Sequence, residues 1–154
     1  MKPTIQDEYR TVTPYLKLPN AGRLLEFLKT AFNGVEKGRL LQPDGTVLHA
    51  DVVIGDTRLM IHELPSHGTP KPCTLYLRVD DTDAAFKQAV AAGGIPVFQP
   101  TDMYYGERVA CVTDVSHNDW WIAAPIEKLS LGEIQERATS FLEAKAKVPT
   151  QPVA

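Results

Sequence analysis

Residues 13–33 read TPYLKLPNAGRLLEFLKTAFN, and residues 74–94 read TLYLRVDDTDAAFKQAVAAGG. Each begins with an alternating segment, YLKL or YLRV, of the kind that puts every second side chain on one face of a strand. Each then changes to helical spacing: Leu24, Leu25, Phe27, Leu28, Ala31 and Phe32 form an apolar stripe in the first. Asn20 is the expected cap of the first helix and Asn33-Gly34 its stop, while an Asp cap and a Gly stop bracket the second. The two stretches also match letter for letter. Tyr15-Leu16-Lys17-Leu18 falls on Tyr76-Leu77-Arg78-Val79, and Ala31 on Ala92, at an offset of 61. Two copies of so long a unit imply one pseudo-symmetric domain rather than a solenoid, which needs three or more.

The rest of each unit follows the same order. After the first helix come VEKGRLL, a turn at Pro43-Asp44-Gly45, TVLHADVVI, a turn at Gly55-Asp56, and TRLMIHEL, three strands joined by hairpins. After the second come IPVFQP, RVACVTD and DWWIAAP, and here Leu59-Met60-Ile61 falls on Trp120-Trp121-Ile122, again 61 apart. The expected class is α+β, with two βαβββ modules forming a curled mixed β-sheet around a shared cleft, plus a C-terminal helix. The boundaries are an N-terminal extension over 1–10, a domain over 11–127, a helix over 128–148 and a frayed tail over 149–154. Within the domain, module one covers 11–64, the polar, proline-rich linker PSHGTPKP covers 65–72, and module two covers 73–127. Ser130 caps the last helix, whose apolar side (Leu131, Ile134, Ala138, Phe141 or Leu142) packs on the sheet or on a partner.

Composition narrows the function classes. A net charge of -3 with scattered Lys and Arg gives no reason to expect nucleic acid or a membrane surface. No apolar run approaches the roughly 20 residues that span a bilayer, and MKPTIQDEYR lacks the apolar stretch of a signal peptide. Cys73 and Cys111, without metal-type spacing, read as a reduced pair in a cytoplasmic protein.

Four blocks carry a resemblance: TPYLKLPNAGRLLEFLKTAFN, DGTVLHADVVIGDTRLMI, VDDTDAAFKQAVAAGG and TDMYYGERVACVTDVSHNDWWIAAPIEKLS. In that order, over residues 11 to 132, they resemble the glyoxalase/bleomycin-resistance/dioxygenase family, the vicinal oxygen chelate superfamily, and its PhnB-like branch in particular. The resemblance implies a cleft in which many relatives hold a divalent metal through four side chains, most often His, Gln or Glu. Here those positions fall at Thr13, Met60, Thr74 and Trp121. None suits the task, since Thr is a weak neutral donor, Met favours soft metals and Trp offers only an N–H. The same offset pairs Thr13 with Thr74 and Met60 with Trp121, so the expectation is that the usual metal site is absent. A rebuilt site at His49, Asp51 and His62 is the alternative; Glu63 next to His62 points to the other face, and His67 and His117 belong to the surface.

By strand parity, Thr13, Tyr15, His49, Asp51, Met60, His62, Thr74, Tyr76 and Trp121 line the cleft. Leu16, Leu18, Val52, Ile54, Leu59, Ile61, Leu75, Leu77, Val79, Trp120 and Ile122 pack under the helices. Tyr104, Tyr105 and Arg108 join the cleft as a rim, with Arg108 either gripping an anionic ligand or paired with surface acids. Met60 and Trp121 either plug the former metal site or offer a wall for stacking. Three functions follow. The first is a metal-free binding protein for a small organic molecule. The second is an enzyme, either a divalent-metal lyase, isomerase or dioxygenase with displaced ligands, or an acid-base catalyst using His49, Asp51 or His62. The third is a structural or regulatory module with a closed cleft. A homodimer is expected in each case.

Overall fold

The computed structural model describes residues 8–149. Residues 1–7 and 150–154, most of the expected extension and tail, lie outside them. The order is β1 (Tyr15–Leu18), α1 (Ala21–Phe32), β2 (Val35–Leu41), β3 (Val47–Ile54) and β4 (Thr57–Glu63), then β5 (Thr74–Arg78), α2 (Thr82–Ala91), β6 (Ile95–Asp102), β7 (Glu107–Thr113) and β8 (Asp119–Pro125), and last α3 (Leu131–Ala146). This is βαβββ twice and a final helix, an α+β architecture. Each module has one mixed four-stranded sheet, in the orders β1-β4-β3-β2 and β5-β8-β7-β6. A helical crossover lets β1 lie parallel to β4, and β5 to β8, while the hairpins make the other pairs antiparallel.

The alternation read from the sequence sorts the two faces of each sheet. Leu16, Leu18, Val52, Ile54, Leu59, Ile61, Trp120 and Ile122 are buried in one core with α1, joined by Leu75, Leu77 and Val79 in partial burial. α1 and α2 pack on each other, and Gln88 fixes the contact by donating from its amide to Thr30 O and Asn33 Oδ1, both at 2.9 Å. Phe32 meets the Trp120 ring across the modules at 4.8 Å between centroids. Among the described residues, no helix covers the opposite face of either sheet. Tyr15 is 51% exposed there and Tyr76 48%.

Local chemistry explains most boundaries and corrects three. β1 starts at Tyr15, not Thr11: Pro14 has no N–H to give to a ladder, so Thr13 precedes the strand and donates its hydroxyl to Arg10 O. Asn20 sits in the left-handed region (φ 65°) and its side chain caps nothing. Glu63, from the end of β4, does that work instead, accepting from the backbone N–H of Asn20 at 3.1 Å and of Ala21 at 2.6 Å. β6 runs on to Asp102, past the expected end, with its register broken around Pro96 and Pro100 as an edge strand tolerates. The other caps match the sequence: Asp81 accepts from Ala84 N at 3.0 Å, and Ser130 and Glu133 form a capping box on α3. Gly34 follows the stop at Asn33 because a Cβ there would lie 2.9 Å from Val52 Cγ2.

Candidate functional site

The open face of the first sheet gathers most of the polar candidates. His49 lies opposite His62 and Asp51 opposite Met60, while Tyr15 and Lys17 flank Met60 and His62 from β1. The two imidazoles approach with Nδ1 to Nδ1 at 3.2 Å, so one ring donates and the other accepts. His49 turns its Nε2 toward Asp51 Oδ1, 3.8 Å away. Burial pushes the His62 pKa below its ordinary value, and the neighbouring His49 and Lys17 push the same way. His62 is therefore a neutral imidazole near neutral pH. The Tyr15 ring stands about 6 Å from both, at 6.2 Å and 6.1 Å between centroids.

Three residues without a sequence-assigned role complete this face. Arg58, two positions before Met60, is buried with its guanidinium 3.5 Å from Asp51 Oδ2 and 2.7 Å from Glu8 Oε2. Tyr9 lies over the guanidinium at 4.5 Å and donates its hydroxyl to Asp51 Oδ1 at 2.7 Å. Burial, then the Asp51 carboxylate, raises the Tyr9 hydroxyl pKa and keeps it a donor. Alternation places Arg58 on this face from the letters alone. Glu8 and Tyr9 belong to an extension with no periodic pattern, so nothing in the sequence brings them here.

The second sheet presents a different face. Tyr76, Trp121, Cys111 and Phe98 stand in one row across β5, β8, β7 and β6. Trp121 stacks beside Tyr76 (6.3 Å, 24°) and meets the edge of Phe98 (5.1 Å, 75°). The Tyr76 hydroxyl donates to Glu107, which also pairs with Arg78 at 2.9 Å. Burial pushes the Tyr76 pKa strongly up, with that hydrogen bond second. The Cys111 thiol is pushed up to about 11, chiefly by burial, which leaves it an unreactive filler. Thr74 begins β5, exposed. Tyr104 and Tyr105 cross edge to face at 5.2 Å, but Tyr104 also packs on Phe141 of α3 at 5.0 Å, which draws it away from the row.

Arg108 does not reach this face. It shares the parity of Ala110 and Val112, which are core residues, and is held by Asp83 (2.6 and 3.0 Å) and Asp102 (2.9 Å). The ligand-gripping role is thereby corrected: both ends of its fork are already taken. Glu63 is equally committed, as the cap of α1, with both oxygens accepting backbone N–H groups at the start of that helix. His67 and His117 are exposed. A cavity of about 860 Å³ lies elsewhere, on the helix side of the module junction, between Phe32, Ile54, Leu75, Leu77 and Trp120.

The donors at the family's metal positions do not fit a divalent ion. Thr13 is outside the strand and turned to Arg10 O, Met60 brings a soft thioether, and Trp121 brings only an N–H donor. No three His, Cys, Asp or Glu side chains gather as a metal-binding group among the described residues. The His49 and His62 nitrogens are close enough to share an ion, yet Asp51 faces the other nitrogen of His49 and supplies no third ligand.

Comparison with known proteins agrees with this fold. An uncharacterized protein of Mycobacterium tuberculosis is 29% identical over 140 residues, covering 84% of this chain and 82% of its own. Among solved structures, TioX from Micromonospora sp. ML1 superposes with a TM-score of 0.62 at 22% identity, covering 74% of this chain and 98% of its own. A PhnB protein from Bacillus cereus, described as a putative 3-demethylubiquinone-9 3-methyltransferase, gives 0.61 at 13% identity, covering 75% and 99%. The family model for the Glyoxalase/Bleomycin resistance protein/Dioxygenase superfamily matches residues 18–122, and with two βαβββ modules in sequence this chain belongs to that superfamily.

Proposed function

We infer that the protein binds a small organic molecule without a metal, against the aromatic face of the second module. The observation that carries this reading is the row Tyr76–Trp121–Phe98 on a sheet face that no helix covers among the described residues. A flat indole flanked by two further rings suits a planar or cationic ligand. The unsuitability of Thr13, Met60, Thr74 and Trp121 as metal ligands supports the same reading. The half-exposed Tyr15 and Tyr76 speak for an open cleft over a closed structural module.

The apolar side chains left exposed on the edge strands favour a homodimer. Val35, Leu40 and Leu41 on β2, and Ile95 and Val97 on β6, are more than half exposed. A second copy would cover them and roof the open faces. Free Cys73 and Cys111 suit a cytoplasmic setting.

The test uses the two tryptophans. A library of planar aromatic and cationic compounds should quench the emission of Trp121, and Trp121→Ala should weaken the best binder about tenfold. Quenching that persists in Trp121→Phe would move the ligand to the cavity beside Trp120 and sink the proposed site. A second reading, acid–base or metal-assisted catalysis at His49, Asp51 and His62, is favoured by the 3.2 Å imidazole contact. Stoichiometric zinc, nickel, manganese or iron lost on His49→Ala or His62→Ala would establish it in place of the first.

A further inference from the structure

The open face of the first sheet contains a cation that its surroundings do not fully satisfy. Arg58 is 5% exposed, and its Nε has no hydrogen-bond partner among the described residues. A guanidinium carries five donors in a planar fork. One nitrogen, Nη1, meets a single oxygen of Glu8 at 2.7 Å, while Nη2 is at the limit of a bond to Asp51 at 3.5 Å. A buried donor left unpaired is costly, so such groups persist where something else pairs with them.

The partner Arg58 does have is unusual in its origin. Glu8 comes from the segment ahead of the repeat, 50 positions away in sequence, and is itself half exposed. Its neighbour Tyr9 lies flat over the guanidinium and ties down to Asp51. Residues 8 and 9 thus lay one carboxylate and one ring across a cation belonging to the sheet. Neither is part of the βαβββ pattern, and the sheet's own hydrogen bonds do not depend on them. Glu8 and Asp51 are the two carboxylates that Arg58 meets among the described residues, and Asp51 is the one that belongs to the sheet.

We propose that Arg58 anchors a binding site for a small carboxylate, and that Glu8, with Tyr9 as its cover, occupies that site from within the chain. Glu8 reaches only one nitrogen because its backbone tethers it. A free carboxylate can turn to take two nitrogens of the fork, the Nε included, which is the stronger arrangement. Asp51 holds the guanidinium in place and disfavours a second anion, so the site takes one carboxylate group. The site is on the first sheet, apart from the aromatic row on the second, and does not depend on ligand binding at Trp121.

The experiment uses the full chain and the double variant Glu8→Gln/Tyr9→Ala, titrated with benzoate and acetate and, in a separate arm, with inorganic phosphate. Binding is followed by calorimetry and by the Arg58 Nε–H resonance in nitrogen-15-labelled protein. Releasing the strap should tighten benzoate binding about tenfold or more and shift the Arg58 resonance, because benzoate no longer competes with the Glu8 carboxylate for the guanidinium. Arg58→Lys in the same background should lose that gain while the chain still melts cooperatively. The resonance shift does not rely on a change at position 58, so it stands even if Arg58→Lys does not fold. Equal benzoate affinity with and without the strap overturns the proposal, as does an Arg58 resonance that benzoate leaves unmoved. Phosphate binding in the absence of any carboxylate binding overturns the assignment of ligand class.

Discussion

Among the described residues, Asp114 is the most heavily used side-chain acceptor. Its carboxylate, 2% exposed, takes hydrogen bonds from Ser116 N, Asn118 N, Asn118 Nδ2 and the Trp120 indole, all within 3.0 Å. Replacing it by alanine would strand four buried donors. The expected cost is about 3–5 kcal/mol in chemical denaturation, against about 1 kcal/mol or less for an exposed acid such as Asp56. His62 makes a second prediction. Its folded pKa is below the ordinary 6.5, so in the interval between the two values the unfolded chain binds more protons. That contribution to stability is present above the ordinary pKa and is lost as pH falls through the folded one. Unfolding between about pH 7 and about pH 5 should therefore show a larger loss for the parent chain than for His62→Asn. The inward Trp120 and outward Trp121 were legible from strand parity. The acid beneath Trp120 was not, since no periodicity says which turn residue bends back to meet an indole.

At the scale of elements, the caps show where sequence reading succeeds. Asp81 and Ser130 stand immediately before their helices and act locally, so spacing alone finds them. The cap of α1 comes from Glu63, 42 positions beyond Ala21, and local spacing selects Asn20 in its place. Glu63→Ala should cost about 1–2 kcal/mol, and hydrogen exchange should quicken first at Asn20 and Ala21. The same adjacency orders the open face: His62 faces the candidate site while Glu63 holds α1 on the other side. Arg108 was misplaced for the converse reason. Loop ends do not announce their parity, and the strand begins one residue before it, at Glu107.

For the whole molecule, the repeat made the architecture legible, because two imperfect copies confirm each other's elements. Strand parity, rather than the repeat, showed how differently the copies are furnished. The first sheet carries imidazoles, Arg58 and Asp51, and the second an aromatic row. Exposed edge strands on both predict association. The mass in solution should be twice the 17.0 kDa of the chain, with one ligand bound per chain at saturation, and a monomer at micromolar concentration would refute the dimer.

The turn that Asp114 closes also acts as a ruler. Residues 114–118 set the phase in which β8 enters the sheet, and with it which indole meets Phe32 and which meets Tyr76. Losing one residue there would leave the composition of β8 intact and turn the whole strand over. Evolution can thus exchange side chains along β8 one at a time, but cannot change the length of this turn without rebuilding the core and the open face in one step.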